Sequence, residues 1–166
     1  QTSLVGSEMC IRDSPQTITL SHSNADAKIH FTLDGSIPNE NSLEYSSALT
    51  VSSNTPFKAR SIQNGWMSSP VETETYLFGE KPDIPVITLN ADPSDLFDTN
   101  SGIYALGLSA SANFPYFGAN FWQDWEKPAQ FEIIDTNGQN YKANAGIKIF
   151  GGWSRGNAQK SFSLFA

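Results

Sequence analysis

The sequence of 166 residues contains one cysteine, two histidines and ten lysines or arginines, and it lacks any long apolar run. A single cysteine cannot form an internal disulfide, so cysteine usage leaves the cellular compartment open. No window approaches the roughly 20 apolar residues of a membrane-spanning helix. The net charge of −7 leaves no basic surface, which argues against a nucleic-acid partner held through phosphate contacts.

Strong helix formers are also scarce, whereas threonine, serine, asparagine, glycine and aromatic residues are plentiful. This composition is typical of a mainly β protein. The length suits one or two globular domains, each with a modest core. We expect the chain to be monomeric.

The one cysteine, Cys10, lies in a stretch with no helical or strand period, SLVGSEMCIRDS (residues 3–14). This stretch resembles translated sequencing-adapter text from environmental DNA assemblies, and it has no apolar segment of the kind found in signal peptides. We therefore expect residues 1–14 to be an artefactual, disordered leader. We expect the chain to be a metagenomic fragment.

Short strands separated by turn signals fill residues 15–79. In Lys28–Leu33 apolar and polar residues alternate, which is the period of a strand with one buried face. The dipeptides Asp34-Gly35 and Asn64-Gly65 are typical of turns. Several such strands at close spacing predict a small antiparallel β-sandwich.

The same residues resemble the chitobiase/β-hexosaminidase C-terminal type of fibronectin-III-like module. The resemblance rests on IHFTLDGSIP with its T-x-D-G-x-x-P pattern, on the tyrosine of SLEYSS, on KAR, and on the closing SPV. It implies an accessory domain attached to secreted enzymes or surface proteins, without catalytic function of its own.

Asp34 is the carboxylate in this module that most invites a catalytic role. No motif places a second carboxylate as its acid/base partner, so we interpret Asp34 as a turn residue whose side chain caps its own loop. No nucleophile motif accompanies the histidines, which argues against a serine triad. We expect His30, Glu72 and Glu74 on the solvent side of their strands.

Two prolines and three charges in GEKPDIP (residues 79–85) predict a stiff linker over residues 80–85, followed by a second module over residues 86–166. The predicted elements of that module are strands at 86–89, 102–106 and 129–134, a short helix from Pro93 to Phe97 capped by Asp92, a hairpin turn at Asn137-Gly138 leading into a strand up to Phe150, and a last strand beginning near Lys160.

Three stretches of this module resemble, in this order, the beginning of the CotH-type spore-coat protein kinase family: IPVITLNADPSDLFDTNSGIYALG, WEKPAQFEIIDTNG and AGIKIFGGWSRGNAQKSFSLFA. The resemblance implies an atypical kinase that transfers phosphate from ATP to serine of a protein substrate with a divalent metal such as Mg²⁺. The fold it implies here is a partial, antiparallel-sheet α+β N-lobe with one short helix. The family's catalytic and metal-binding aspartates follow the QKSF motif, so we expect neither catalytic residues nor metal ligands in this fragment, and no activity.

The glycine-bearing turn GGWSRGNAQKS carries the candidate site for the phosphates of ATP. In kinases such a turn lets the backbone approach phosphates, and a lysine on a neighbouring strand neutralises their charge. The candidates are Gly151, Gly152 and Gly156 for close approach, with Arg155 and Lys160 as the cations. The spacing fits neither a Walker A loop nor G-x-G-x-x-G, and a strand-to-strand turn with ordinary surface cations stays the alternative.

The loop FPYFGANFWQDW (residues 114–125) is rich in aromatic rings. Flat rings can cover the apolar faces of sugars, which makes Tyr116 and Trp122 candidates for glycan stacking. The alternative, which we favour for Trp125, is that the rings fill the core under a long loop. DTNSG (residues 98–102) resembles the opening of a calcium loop, but its twelfth position, Ser109, is not acidic, so we predict no calcium site.

Two functions are compatible with these patterns. The first is a fragment of a secreted or cell-surface bacterial protein, whose complete form is an ATP-dependent protein-serine kinase with an accessory fibronectin-like module. The second is a non-catalytic extracellular protein that binds surface glycans or mediates adhesion. A glycoside hydrolase, suggested by the chitobiase-type module, rests on module sharing alone.

Overall fold

The computed structural model describes residues 2–5, 11–80, 83–136 and 140–165. Strands predominate over helices in these residues, as the composition predicts. The strands are β1 (Thr2–Val5), β2 (Ile11–Arg12), β3 (Gln16–His22), β4 (Lys28–Thr32), β5 (Leu43–Glu44), β6 (Leu49–Val51), β7 (Thr55–Ile62), β8 (Glu72–Phe78), β9 (Val86–Ala91), β10 (Lys127–Ile134), β11 (Asn140–Phe150) and β12 (Ser161–Phe165). One α-helix, α1 (Pro93–Phe97), and two 3₁₀ turns, Asn120–Trp122 and Trp153–Gly156, complete the described elements.

The chain divides into two compact units. The first comprises residues 1–88 and 132–141, and the second comprises residues 89–131 and 142–166. The domain boundary that the sequence places at residues 80–85 stays a prediction.

Two sheets form the first unit. One has five strands in the order β2-β8-β7-β4-β5, and the other has three strands in the order β1-β3-β6. The neighbours are antiparallel, except that β2 runs parallel to β8. This arrangement is consistent with the predicted antiparallel sandwich.

Alternating apolar residues of both sheets build the core of the first unit. On β3, for example, Ile18 and Leu20 are buried while their neighbours are exposed. Phe57 is fully buried, with its ring stacked 5.9 Å from that of Phe31 and edge-on at 6.4 Å to that of Tyr76. Full burial of one such side chain contributes about 1.5–3 kcal/mol. The buried cluster is Ile18, Leu20, Ile29, Phe31, Val51, Phe57, Ala59 and Tyr76.

Thr2–Val5 and Ile11–Arg12 form strands in these sheets, which differs from the disorder expected for this part of the chain. β1 pairs antiparallel with β3, and β2 pairs with β8. The physical reason is that the edge strands of a sheet present unpaired N–H and C=O groups, which accept an extended segment without demanding a particular sequence. The artefactual origin of residues 3–14 stays a prediction.

Two solvent-facing expectations are wrong. His30 is buried, and Glu74 is buried on the same face as its register partner Phe57. Glu72 is half-buried. In Glu72–Thr75 acidic and hydroxyl side chains alternate, so hydropathy does not distinguish the two faces of this strand.

The second sheet system has four strands in the order β12-β11-β10-β9. β11 and β12 are antiparallel, with Gly146 opposite Phe165 and Phe150 opposite Ser161. The buried apolar cluster of the second unit is Ala91, Ile103, Ala119, Phe121, Ala129, Ile147 and Ile149.

The predicted helix is confirmed, and the predicted strand at residues 102–106 is wrong. The Asp92 side chain accepts a hydrogen bond from Ser94 N at 2.8 Å, and Pro93 occupies the first helical turn. After the helix, the backbone N–H groups of Gly102, Ile103 and Tyr104 donate to carbonyls of Asp98, Asp95 and Leu96. These bonds satisfy backbone donors locally, so the segment forms turns rather than a strand.

The predicted hairpin turn at Asn137-Gly138 lies outside the described residues. Within the described residues, no helix has the length and apolarity needed to span a membrane.

Candidate functional site

The glycine turn follows β11 and contains the second 3₁₀ turn, Trp153–Gly156. Gly151 opens it with φ of +124°, a conformation that side chains disfavour, and a Cβ there would collide with the Ser154 hydroxyl. Gly151 is therefore required by the turn itself.

The other two glycines differ in their surroundings. A Cβ on Gly156 would lie 2.8 Å from a ring carbon of Phe114 and 3.1 Å from the backbone of Pro115. Nothing lies within 4 Å of the equivalent position on Gly152. Gly156 thus serves packing against the aromatic loop, and Gly152 is the glycine of the three that leaves space for a ligand.

Arg155 is held close to the backbone of this turn. Its Nε donates to the carbonyl of Gly151 at 2.7 Å, and its Nη1 lies 3.4 Å from the carbonyl oxygen of Phe121. The guanidinium carbon lies 5.7 Å from the ring centroid of Trp122, within the range of a cation–π contact.

Lys160 sits on aromatic rings just before β12. Its Nζ donates to the carbonyl of Asn157 at 2.6 Å and lies 4.1 Å from the ring centroid of Phe121 and 5.1 Å from that of Tyr104. The side chain is half-buried, and this loss of solvation lowers the pKa of Lys160 from its ordinary value of 10.5.

Both cations therefore contact Phe121, Arg155 through its carbonyl and Lys160 through its ring. In the described part of the chain, no carboxylate forms an ion pair with either of them. The Lys160 ammonium has three N–H donors and uses one on Asn157. Chemically, the arrangement offers positive charge and donors to an anion, with Gly152 as an unobstructed neighbour.

Sequence reasoning missed Tyr104, which positions Lys160. The Tyr104 hydroxyl donates to the carbonyl of Ala158 at 2.9 Å and accepts from the backbone N–H of Lys160 at 3.0 Å. Tyr104 lies 56 residues from Lys160 in the chain, and no local motif signals their contact.

The two glycan-stacking candidates are half-buried. Trp122 donates through Nε1 to the carbonyl of Pro115 at 2.9 Å, and its ring lies 4.9 Å from that of Phe117 and close to the Arg155 guanidinium. Tyr116 adopts a φ of 60° and packs edge-on against Phe114. Their rings thus have protein partners, and their stacking role stays a prediction.

The more exposed rings lie beside them. Phe114, Phe117 and Trp153 are 51%, 54% and 66% exposed. The ring centroids of Phe114 and Trp153 lie 6.3 Å apart, in an edge-on arrangement. Trp125, expected in the core, is 37% exposed. The expectation of burial is wrong for Trp125 because the loop places it outside the cluster around Phe121.

Asp98 has a structural task in the DTNSG turn. Its Oδ1 accepts from the backbone N–H groups of Asn100 and Ser101, both at 2.9 Å, and from the Ser101 hydroxyl at 3.0 Å. These hydrogen bonds lower the pKa of Asp98. The bond from the Ser101 backbone has the largest effect, followed by those from the Ser101 hydroxyl and the Asn100 backbone. Among the described residues, no group of three or more His, Cys, Asp or Glu side chains is placed to hold a metal ion.

In the first unit, Asp34 caps its own turn as predicted. Its Oδ1 accepts from the backbone N–H of Ser36 at 3.0 Å and from the Ser36 hydroxyl at 2.6 Å, and Gly35 adopts a φ of +84°. The buried Lys58 donates through Nζ to the Gly35 carbonyl at 2.6 Å. The D-G and K-A-R patterns are therefore parts of one contact between a loop and β7.

The buried His30 completes this loop attachment. Its Nδ1 donates to the carbonyl of Ser42 at 3.0 Å, and the Thr32 hydroxyl donates to the carbonyl of Ser36 at 2.6 Å. These contacts give His30 a structural explanation that the alternating pattern of its strand did not reveal.

Comparison with known families supports the interpretation of the first module. Residues 18–76 match the family model described as Fn3 associated. This match fits a fibronectin-III-like module of the chitobiase type, and it covers the strands and the loop that carry the Asp34 and Lys58 contacts. It ends before the second unit begins. A search of curated proteins found no match.

Proposed function

We propose that this chain belongs to a secreted or cell-surface bacterial protein that carries an accessory fibronectin-like module and the first part of a CotH-type protein-serine kinase domain. The family match at residues 18–76 supports an extracellular accessory module. The kinase assignment is supported by the order of the three CotH-like stretches and by the placement of the cations around Phe121.

The observation that carries the kinase proposal is the environment of Lys160. Its ammonium is half-buried over two rings, and within the described residues it has no carboxylate partner. Burial penalises the charged form, as the lowered pKa of Lys160 shows, and an anionic ligand would offset this penalty. A phosphate group of ATP is such an anion, and it suits a lysine as a point-charge partner.

Arg155 and Gly152 have subsidiary roles in this proposal. The guanidinium of Arg155 is fixed by Gly151 and Phe121, and it contributes positive charge without needing to reorganise. Gly152 gives access, since nothing lies within 4 Å of its missing side chain. The Mg²⁺ that accompanies ATP neutralises phosphate charge in such transfers, and the described residues do not form a cluster that would hold it.

The test is phosphoryl transfer from labelled ATP, with Mg²⁺ and a serine-containing protein acceptor, by the natural protein that includes this chain. Lys160→Met should lower the rate at least about a hundredfold because it removes charge stabilisation of the phosphates. Lys148→Met is the matched control, because Lys148 lies on β11, outside the glycine turn, and its ammonium is paired with the Asp124 carboxylate at 3.1 Å. Equal rates for wild type and Lys160→Met would overturn the kinase proposal.

The second candidate is a non-catalytic protein that binds surface glycans. It is favoured by the exposed rings of Phe114, Phe117 and Trp153, because exposed rings can stack on the apolar faces of sugars. If the natural protein neither binds ATP nor transfers phosphate, yet binds glycans in a manner that requires Trp153, this second function replaces the first.

A further inference from the structure

A cavity of about 460 Å³ lies in the first unit, at the loop that joins β7 and β8. The residues that line it include Trp66, His22, Asn24, Gln63, Ser69 and Glu72. The volume falls within the range of roughly 300–1,000 Å³ that is usual for small-molecule sites. None of these residues belongs to the glycine turn or to the aromatic loop.

The loop that presents Trp66 is fixed at both ends. The backbone N–H of Trp66 donates to the carbonyl of Gln63 at 3.1 Å, and Gly65 adopts a φ of +78°. Farther along, the backbone N–H of Ser69 donates to the carbonyl of Ser61 at 3.0 Å, and the backbone N–H of Ser61 donates to the Ser69 hydroxyl. Trp66 is nevertheless 74% exposed, so the loop is held by hydrogen bonds while its indole ring is accessible to solvent.

The polar wall of the cavity is also ordered. Asn24 Nδ2 donates to Gln63 Oε1 at 2.8 Å, and the Asn24 side-chain oxygen accepts from the backbone of Asp26. This arrangement leaves the Gln63 amide hydrogens without an acceptor among the described residues. The Glu72 carboxylate is half-buried and has no ion-pair partner within the same part of the chain.

We propose that this cavity, defined as the Trp66 pocket, binds a neutral carbohydrate. A pyranose has an apolar face, which an indole can cover, and a rim of hydroxyls, which amides and a carboxylate can bind. No lysine or arginine lines the pocket, and Glu72 does, so an anionic ligand is disfavoured. A purely apolar ligand would bury the Glu72 and Gln63 groups without partners, which is unfavourable.

The proposal goes beyond the kinase assignment and does not depend on it. It places sugar recognition in the accessory module, away from Tyr116, Trp122 and Trp153. An accessory module of this kind would hold its parent protein on a polysaccharide surface.

The experiment measures binding of the 166-residue chain to neutral hexasaccharides of glucose, xylose, mannose and N-acetylglucosamine by titration calorimetry. An oligogalacturonate serves as the anionic comparison. At least one neutral hexasaccharide should bind, and the oligogalacturonate should not. Trp66→Ala should weaken binding about tenfold or more, whereas Trp66→Phe, which keeps a ring, should retain most of it. Glu72→Gln should weaken binding severalfold while leaving the fold intact.

Phe150→Ala is the control, since Phe150 is also an exposed aromatic residue but belongs to the second unit and to neither proposed glycan site. It should bind as the wild type does. The proposal is overturned if no neutral hexasaccharide binds, if Trp66→Ala binds normally in a chain with an unchanged circular dichroism spectrum, or if Trp153→Ala alone abolishes binding. The last result would instead support glycan binding by the second unit.

Discussion

Lys160 combines two opposing effects on one side chain. Burial penalises its charge, while Asn157, Phe121 and Tyr104 supply a carbonyl and two ring faces that stabilise it. Burial lowers the pKa of Lys160. The folded-state pKa of Lys160 is below the ordinary value of 10.5, so between these two pH values the unfolded chain binds more protons than the folded chain. Folding therefore becomes more favourable as pH rises from the folded-state pKa to 10.5.

The lowered pKa of Lys160 predicts a stability difference at alkaline pH. Compared with Lys160→Met, the wild-type chain should gain free energy of unfolding as pH rises towards 10.5. The measurement is urea unfolding of both chains at a series of pH values from 7 to 11. A difference that stays constant, or that falls with rising pH, would show that burial does not dominate at Lys160.

The glycines of the turn predict opposite tolerances. Gly156→Ala should lower the free energy of unfolding by about 1–3 kcal/mol, because the new methyl group meets Phe114 and Pro115. Gly152→Ala is the control and should change stability little, since its methyl group enters open space. Urea unfolding of both variants checks this, and a destabilisation of Gly152→Ala equal to that of Gly156→Ala would contradict the packing explanation.

At the scale of elements, alternation and turn chemistry predicted most of the first unit. Lys28–Thr32 is a strand and Asp34 caps the turn that follows it, because both depend on local sequence. The burial of Lys58 and His30 was not predictable in this way, since the loop that covers them is attached through carbonyls of Gly35 and Ser42. Backbone acceptors have no signature in the sequence.

The attachment of this loop to β7 gives a prediction. Lys58→Met should lower the free energy of unfolding by about 1–3 kcal/mol, because it leaves the buried Gly35 carbonyl without its donor. Lys28→Met is the matched control, since Lys28 forms an exposed pair with Glu44 and should contribute little. The measurement is chemical unfolding of the two variants. Equal free energies of unfolding would contradict a structural role for the Lys58–Gly35 hydrogen bond.

In the second unit, the sequence predicted the cap of α1 and the strands on either side of the glycine turn. It did not predict the turns after α1, because there the backbone donors of Gly102, Ile103 and Tyr104 bond to carbonyls that the helix leaves open. The candidate cations were named from their sequence neighbourhood. The aromatic rings that contact Lys160 were not predicted, since Phe121 and Tyr104 come from other segments of the chain.

For the whole molecule, composition was sufficient to predict a mainly β chain. The separation into two modules at residues 80–85 stays a prediction. Two separate buried clusters, one around Phe57 and one around Phe121, agree with two compact units. The first carries the Fn3 associated match and the Trp66 pocket, and the second carries the cations. The proposed carbohydrate site and the proposed phosphate site thus lie in different units of the chain.

The central claim is that Lys160 provides positive charge for the phosphates of ATP. The most direct measurement is nuclear magnetic resonance of the lysine ε-methylene groups in the 166-residue chain during titration with ATP and Mg²⁺. The signals of Lys160 should shift saturably, its pKa should rise when the nucleotide is bound, and Lys148 should not respond. Signals of Lys160 that do not change up to millimolar ATP, or that change no more than those of the other lysines, would contradict the claim.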